Sequence, residues 1–167
     1  LSDDDLFKKS FVVSSFGKTF HITGWKVGYC TAPEVLTAEL RKIHQFLTFS
    51  TSTPFQYALS EYINDLSNVS ELKNFYQKKR DLFLKLISDT KFKPLNCAGT
   101  YFQLLDYSEI TSENDFEFAR RLTKEFKVAS IPLSVFYENK TDNKVLRFCF
   151  AKEDTTLLKA AENLGKV

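Results

Sequence analysis

Lys18 sits in a tight turn behind a short apolar, β-branched run, Phe11-Val12-Val13-Ser14-Ser15, with a hydroxyl three residues before it at Ser15. A second cation, Lys26, follows eight residues later, bracketed by Gly24 and Gly28. A lysine that forms an imine must be held beside its carbonyl partner and must not stay permanently protonated. A strand-end turn near other cations favours both conditions, because burial and like charge disfavour an ammonium. Ser15 as a donor and Lys26 as a counter-charge can then hold an anionic group of the same molecule. Gly24 and Gly28 would let the backbone pass close to that ligand. Spacing alone leaves a second reading open, a surface turn carrying two solvated lysines.

Other reactive side chains are less organised. Cys30, Cys97 and Cys149 are far apart, without CxxC spacing or a nearby histidine, so no zinc site or redox pair is expected. They read as small buried hydrophobes in a reducing compartment, and a cytoplasmic location is the default. His21 lies in the lysine loop, where a packing role is as reasonable as a ligand contact. His44, beside Arg41 and Lys42, reads as surface. Lys78-Lys79-Arg80 shares its helix with Glu71 and Asp81 and reads as a solvated face, not a nucleic-acid contact.

The elements that must position these residues follow from periodicity. The 11–15 run is expected to be a buried strand ending at Gly17, and 25–31 a second strand halted by Ala32-Pro33. Leu36, Leu40, Ile43 and Leu47 recur at helical spacing after Pro33. Another helix opens with Thr53 as its cap and Pro54 at its first position. Asn68 and Glu71 resemble a capping box heading a long helix through Leu72, Phe75, Phe83, Leu86 and Ile87. From Phe92 onward the order reads strand, strand, helix, strand, strand, helix. Strands are expected over 101–106, 128–131 and 145–151, one helix headed by Ser112, and a last helix closed by Gly165.

The chain has 167 residues, which at roughly 150 per domain allows one domain or two small ones. Twenty-three basic and twenty-one acidic residues leave a net charge of +2, too balanced to favour a nucleic-acid or membrane partner. No apolar run reaches the 18 or so residues of a membrane span. The acidic start, Leu1-Ser2-Asp3-Asp4-Asp5, does not read as a signal peptide. There is no Met, so the expectation is an internal piece of a longer chain. A strand-rich opening of about 45 residues without partners for a full sheet points the same way. Seventeen Phe is a high count; a core reading fits most of them, and some could pack on other parts or a second subunit.

Ser15-Phe16-Gly17-Lys18 followed by Gly24-Trp25-Lys26-Val27-Gly28-Tyr29 resembles the lysine region of the fold-type-I, pyridoxal-phosphate-dependent class I/II aminotransferases. The wording is most similar to the methionine and kynurenine (aromatic) branch, although Lys26 stands where most of that family has Arg. The resemblance continues through Thr48-Phe49-Ser50, Thr53-Pro54-Phe55-Gln56 and Gly99-Thr100-Tyr101-Phe102. It ends at Leu146-Arg147-Phe148-Cys149-Phe150-Ala151 and covers nearly the whole chain. It implies an α/β fold, the C-terminal portion of the aspartate-aminotransferase-like architecture. Residues 1–45 would end the large cofactor domain, 46–90 would form connecting helices, and 91–167 a small α/β domain.

The resemblance also implies roles. Lys18 would form the internal aldimine with pyridoxal 5'-phosphate and then shuttle the substrate proton. Ser15 and Lys26 would hold the cofactor phosphate. Arg147 would clamp the substrate α-carboxylate, a task suited to a planar guanidinium, although an isolated strand Arg near Lys144 is otherwise a solvated charge. Tyr101 and Phe102 read as core. The substrates would be an apolar, sulfur-containing or aromatic L-amino acid and a 2-oxo acid, and the full-length protein a homodimer. The family's acidic partner for the pyridine nitrogen lies upstream of its lysine; Asp3, Asp4 and Asp5 are too close to Lys18 to serve. The isolated chain is therefore expected to be inactive. Two rivals stand beside the aminotransferase, a non-catalytic α/β binding module of the same fold and a pyridoxal-phosphate-dependent carbon–sulfur β-lyase.

Overall fold

The computed structural model describes residues 3–167, apart from the side chain of Asn68. The capping box read at Asn68 therefore lies outside the described residues, as does the Leu1-Ser2 start of the acidic lead-in. The chain divides into two compact units, one running to Leu72 and the other from Lys73 to Val167.

The first unit opens with a single helical turn, α1 (Asp4–Phe7), capped by the Asp3 carboxylate accepting the Leu6 N–H at 2.9 Å. Strand β1 (Val12–Ser15) leads directly into the one-turn helix α2 (Phe16–Thr19). The expected second strand is shorter than its apolar run. Thr23–Trp25 forms a 3-10 turn and Lys26 is left-handed (φ 56°), so β2 spans only Gly28–Thr31. The two strands pair antiparallel in the register Val12↔Thr31 to Ser15↔Gly28. Neither is buried as expected; Val13 is 76% exposed. Two helices follow, α3 (Glu34–Leu47) and α4 (Thr53–Tyr62). The cap of α4 is Ser52, with Thr53 the first helical residue. The amphipathic α3 buries none of its residues, leaving Ile43 and Leu47 exposed. A short turn, α5 (Ser67–Ser70), ends the unit.

In the second unit α6 (Leu72–Leu86) is followed by the expected order: β3 (Lys93–Pro94), β4 (Phe102–Asp106), α7 (Asp115–Glu125), β5 (Ile131–Pro132), β6 (Val145–Cys149) and α8 (Asp154–Leu164). The head of α7 is Asn114, whose side chain accepts the Glu117 N–H at 2.9 Å, three residues inside the helix. The 128–131 strand shrinks because Lys127 is left-handed (φ 58°) and only Ile131–Pro132 reaches the sheet. All neighbours in the sheet are antiparallel, in the order β3-β4-β6-β5.

Alternation along β4 and β6 gives the sheet one buried face. Leu105, Leu146 and Phe148 join Phe83 and Ile87 of α6, Phe118 and Leu122 of α7, and Leu157, Ala161 and Leu164 of α8 in a single core. Gln103 shares the buried interior and donates to the Leu95 carbonyl at 2.7 Å and the Leu104 carbonyl at 2.9 Å. Of the 78–80 basic cluster, Lys78 is exposed as expected, but Lys79 and Arg80 are not simply solvated. Lys79 pairs with Asp154 at 2.6 Å, and Arg80 donates to the Cys97 carbonyl at 2.7 Å, tying α6 to the start of α8 and to the β3–β4 loop. The cysteines also depart from expectation: Cys30 is exposed, and Cys97 and Cys149 are half-buried free thiols. No helix among the described residues is long and apolar enough to cross a membrane.

Leu146 is fully enclosed, so Leu146→Ala is expected to destabilise by about 2–5 kcal/mol in urea unfolding, from lost burial and the cavity left behind. Val35→Ala, on the open side of α3, should change stability by less than about 0.5 kcal/mol.

Candidate active site

The lysine turn is built by the β1–β2 hairpin. The Ser15 side-chain oxygen accepts the Gly17 N–H at 3.1 Å and so caps α2, the turn that carries Lys18. Its own hydroxyl hydrogen remains available to a ligand. The Phe16 N–H donates to the Val27 carbonyl at 3.2 Å, and the Ile22 N–H to the Gly17 carbonyl at 2.9 Å. With Ser15 opposite Gly28, these bonds return the chain so that Ser15, Lys18 and Lys26 belong to one end of the hairpin. Aromatic contacts hold the loop against α4: Trp25 stacks on Phe55 at 4.5 Å, and Phe20 meets Tyr62 edge-on at 5.5 Å.

The two bracketing glycines have different reasons. A Cβ on Gly28 would lie 2.4 Å from the Ser14 carbonyl oxygen, so strand pairing itself requires the glycine. Gly24 has open space around its Cβ position. What Gly28 admits is thus the neighbouring strand, where the sequence pointed to a ligand. Lys18 and Lys26 are both exposed, so the burial expected at the lysine is not supplied by the residues of this unit. Neither ammonium has a carboxylate partner among the described residues. Asp3 and Asp5 are engaged elsewhere, the first capping α1 and the second paired with Lys8 at 2.8 Å. His21 is exposed with a left-handed backbone (φ 57°), and His44 is exposed on α3.

A hydroxyl and two ammonium groups, with no carboxylate paired to either lysine among the described residues, would suit an anion. An aldehyde-bearing phosphate suits it: the primary amine of Lys18 matches the aldehyde, and the hydroxyl with the second ammonium matches the phosphate.

Arg147 belongs to the second unit and occupies the centre of β6, opposite Leu104 on one side and Ile131 on the other. Phe102 faces Cys149, so Phe102 and Arg147 are diagonal neighbours on the sheet face away from the core. The guanidinium carbon lies 4.1 Å from the Phe102 ring centre and 5.2 Å from that of Phe136. Its Nε is buried and has no hydrogen-bond partner. Arg147 is therefore not a solvated surface charge, and Phe102 is not core. It is a half-buried cation beside two aromatic rings with its Nε unpartnered, chemistry that a carboxylate would suit. Phe136 carried no sequence signal, because it meets Arg147 only through the tertiary fold.

The entrance to β6 is pinned by polar contacts. Lys144 Nζ donates to Asp142 at 2.8 Å and to the carbonyls of Glu113 (2.8 Å) and Ser112 (3.1 Å). The buried Tyr107 hydroxyl donates to the Glu113 carbonyl at 3.2 Å, and its N–H to the Lys144 carbonyl. Burial first, then the charges of Asp142, Asp115 and Glu113, push the Tyr107 phenol well above its usual range. For Asp142 burial acts upward, but the ammonium and backbone N–H of Lys144 outweigh it, leaving the carboxyl below 3.8.

A family model described as aminotransferase class I and II matches residues 3–164. The methionine aminotransferase of Escherichia coli (strain K12) is 47% identical over 168 residues, covering 100% of this chain and 44% of that protein. The kynurenine–oxoglutarate transaminase of Dictyostelium discoideum is 35% identical over 184 residues, covering 97% and 42%. Among solved structures, Escherichia coli YbdL, for which a methionine aminotransferase function is described, superposes with a TM-score of 0.95 at 46% identity, over 100% of this chain and 44% of that one. N-succinyldiaminopimelate aminotransferase from Mycobacterium tuberculosis gives 0.89 at 31% identity, over 98% and 43%. The chain thus spans less than half the length of these relatives.

Two measurements probe this geometry. Gly28→Ala is expected to break the hairpin register, read as faster hydrogen exchange at the Phe16 amide. Because the folded-state value of Asp142 is lowered, its contribution to stability is present above pH 3.8 and is lost as pH falls through the folded value. Asp142→Asn should therefore flatten the acid limb of a stability-versus-pH curve below that point.

Proposed function

The chain belongs to the class I and II aminotransferases, and on that premise we propose that the whole protein containing it transfers the amino group of an apolar, sulfur-containing or aromatic L-amino acid to a 2-oxo acid. Its cofactor in this reading is pyridoxal 5'-phosphate. The observation that carries the reading is the hairpin end, which carries one hydroxyl and two lysines, neither lysine paired with a carboxylate among the described residues. The methionine and kynurenine specificities named for the relatives support the substrate class.

Lys18 Nζ is the amine that holds the cofactor aldehyde and, when free, takes and returns the substrate proton. The Ser15 hydroxyl and Lys26 bind the phosphate. Arg147 binds the substrate α-carboxylate, and the rings beside it keep competing water from the guanidinium. When bound, the cofactor supplies an electron sink for the charge left at the substrate's α-carbon. In this reading the acid for its ring nitrogen is none of Asp3, Asp4 and Asp5, which lie too close to Lys18 in the chain to serve. Residues 1–45 end the cofactor-binding domain, 46–90 connect, and 91–167 form the small domain. The parent is a homodimer, which the bare apolar side of α3 supports, and a cytoplasmic enzyme, which the three free thiols suit.

The test compares the whole protein, its Lys18→Ala variant and the isolated chain, assayed with methionine, kynurenine and phenylalanine against 2-oxo acids. The whole protein should transaminate, Lys18→Ala should lose roughly 10³-fold or more, and the isolated chain should be inactive. Undiminished turnover in Lys18→Ala overturns the catalytic reading. In an added assay with a cysteine S-conjugate, release of pyruvate, ammonia and the free thiol in place of amino exchange makes the enzyme a β-lyase.

A further inference from the structure

Phe136 is a large apolar side chain left 60% exposed, yet it is not loosely held. It ends the 3-10 turn Ser134–Phe136, which follows β5. The first residue of that turn is locked to α7. Asp115, 1% exposed in the first turn of the helix, accepts the Ser134 N–H on one oxygen and the Ser134 hydroxyl on the other, each at 2.7 Å. A carboxylate at that depth is held by both bonds, because losing either would leave a buried charge under-satisfied. Two residues further on, the Phe136 ring lies with its centre 5.2 Å from the Arg147 guanidinium carbon, and the Phe102 ring lies at 4.1 Å. The end of the turn is also closed, by the Phe136 and Tyr137 amides donating to the Leu133 and Ser134 carbonyls.

An arginine side chain carries considerable rotamer entropy, and fixing it only when a ligand arrives subtracts from affinity. Here the ordering is built into the fold. We propose that Asp115, Ser134 and Phe136 form a positioning relay that holds Arg147 in its carboxylate-binding orientation. Asp115 fixes the turn, the turn fixes the ring, and the ring with Phe102 fixes the guanidinium plane with its Nε unpartnered. The relay rests on the reading of Arg147 as the carboxylate clamp. It adds three residues to that clamp, none of which touches the reacting atoms.

The experiment uses the whole cofactor-loaded enzyme and two readouts. Steady-state kinetics separates kcat from KM for the amino acid. Calorimetry measures the Kd of 3-phenylpropionate, a carboxylate that lacks an amino group and cannot react. Phe136→Leu keeps bulk but removes the π face, and should raise KM and Kd about two- to thirtyfold, the range of one cation–π contact. Its kcat should stay within about twofold, since the lost interaction is made equally in ground and transition states. Phe136→Tyr should restore wild-type values. Ser134→Ala leaves Asp115 one of its two bonds and should shift KM and Kd in the same direction by less. Arg147→Lys should weaken both strongly. Unchanged KM and Kd in Phe136→Leu and Ser134→Ala, with both weakened in Arg147→Lys, overturns the relay and leaves the clamp standing. Unchanged 3-phenylpropionate binding in Arg147→Lys overturns the clamp itself. A fall in kcat at constant KM and Kd in Phe136→Leu also overturns the relay.

Discussion

Leu104 faces Arg147 across the β4–β6 ladder, and because side chains alternate along a strand, that single pairing sorts everything else in the second unit. Leu105, Leu146 and Phe148 turn toward α6, α7 and α8 and complete the core. Phe102, Leu104 and Arg147 turn the other way. A slip of one residue would bury the guanidinium among apolar helices and expose Leu146 and Phe148, a change that charge desolvation alone forbids. The core therefore defends the orientation of a side chain whose buried Nε remains without a partner. The Lys144–Asp142 pair and the Tyr107 hydroxyl, at the start of β6, keep the register from sliding at its entrance.

The first unit reaches the same end by a different device. Its two strands bury little, so hydrophobic burial does not fix their register. A steric condition contributes instead: Gly28 alone lets the Ser14 carbonyl approach, and that approach places Ser15 opposite the strand that follows Lys26. Aromatic stacking of Trp25 on Phe55 then anchors the intervening loop to α4. A close backbone contact and a ring pair are short-ranged, which suits a turn that must present two lysines to solvent without an acid partner to hold them.

Much of this organisation is legible in the order of residues alone. The Ser15–Lys18 and Gly24–Tyr29 motifs are local, and their residues stay together because the connection is short. The strand and helix order after Phe92 is legible for the same reason, since alternation and helical spacing are properties of contiguous residues. Element ends are less legible. Ser112 loses the start of α7 to Asn114, and Lys26 and Lys127 cut strands short, because a left-handed backbone at a lysine leaves no mark in composition. The 78–80 cluster misleads for another reason: the partners of Lys79 and Arg80 lie far away in sequence, at Asp154 and Cys97.

By itself the sequence determined the family, the order of elements and which side chains carry reactive groups, since each of these is written in neighbouring residues. Tertiary structure alone decided what surrounds those groups. The exposure of Lys18, the true reason for Gly28, the aromatic rings beside Arg147 and the bond from Asp115 to Ser134 all depend on contacts between segments distant along the chain. Such contacts exist only once the two sheets have chosen their registers, and no local pattern of residues specifies them in advance.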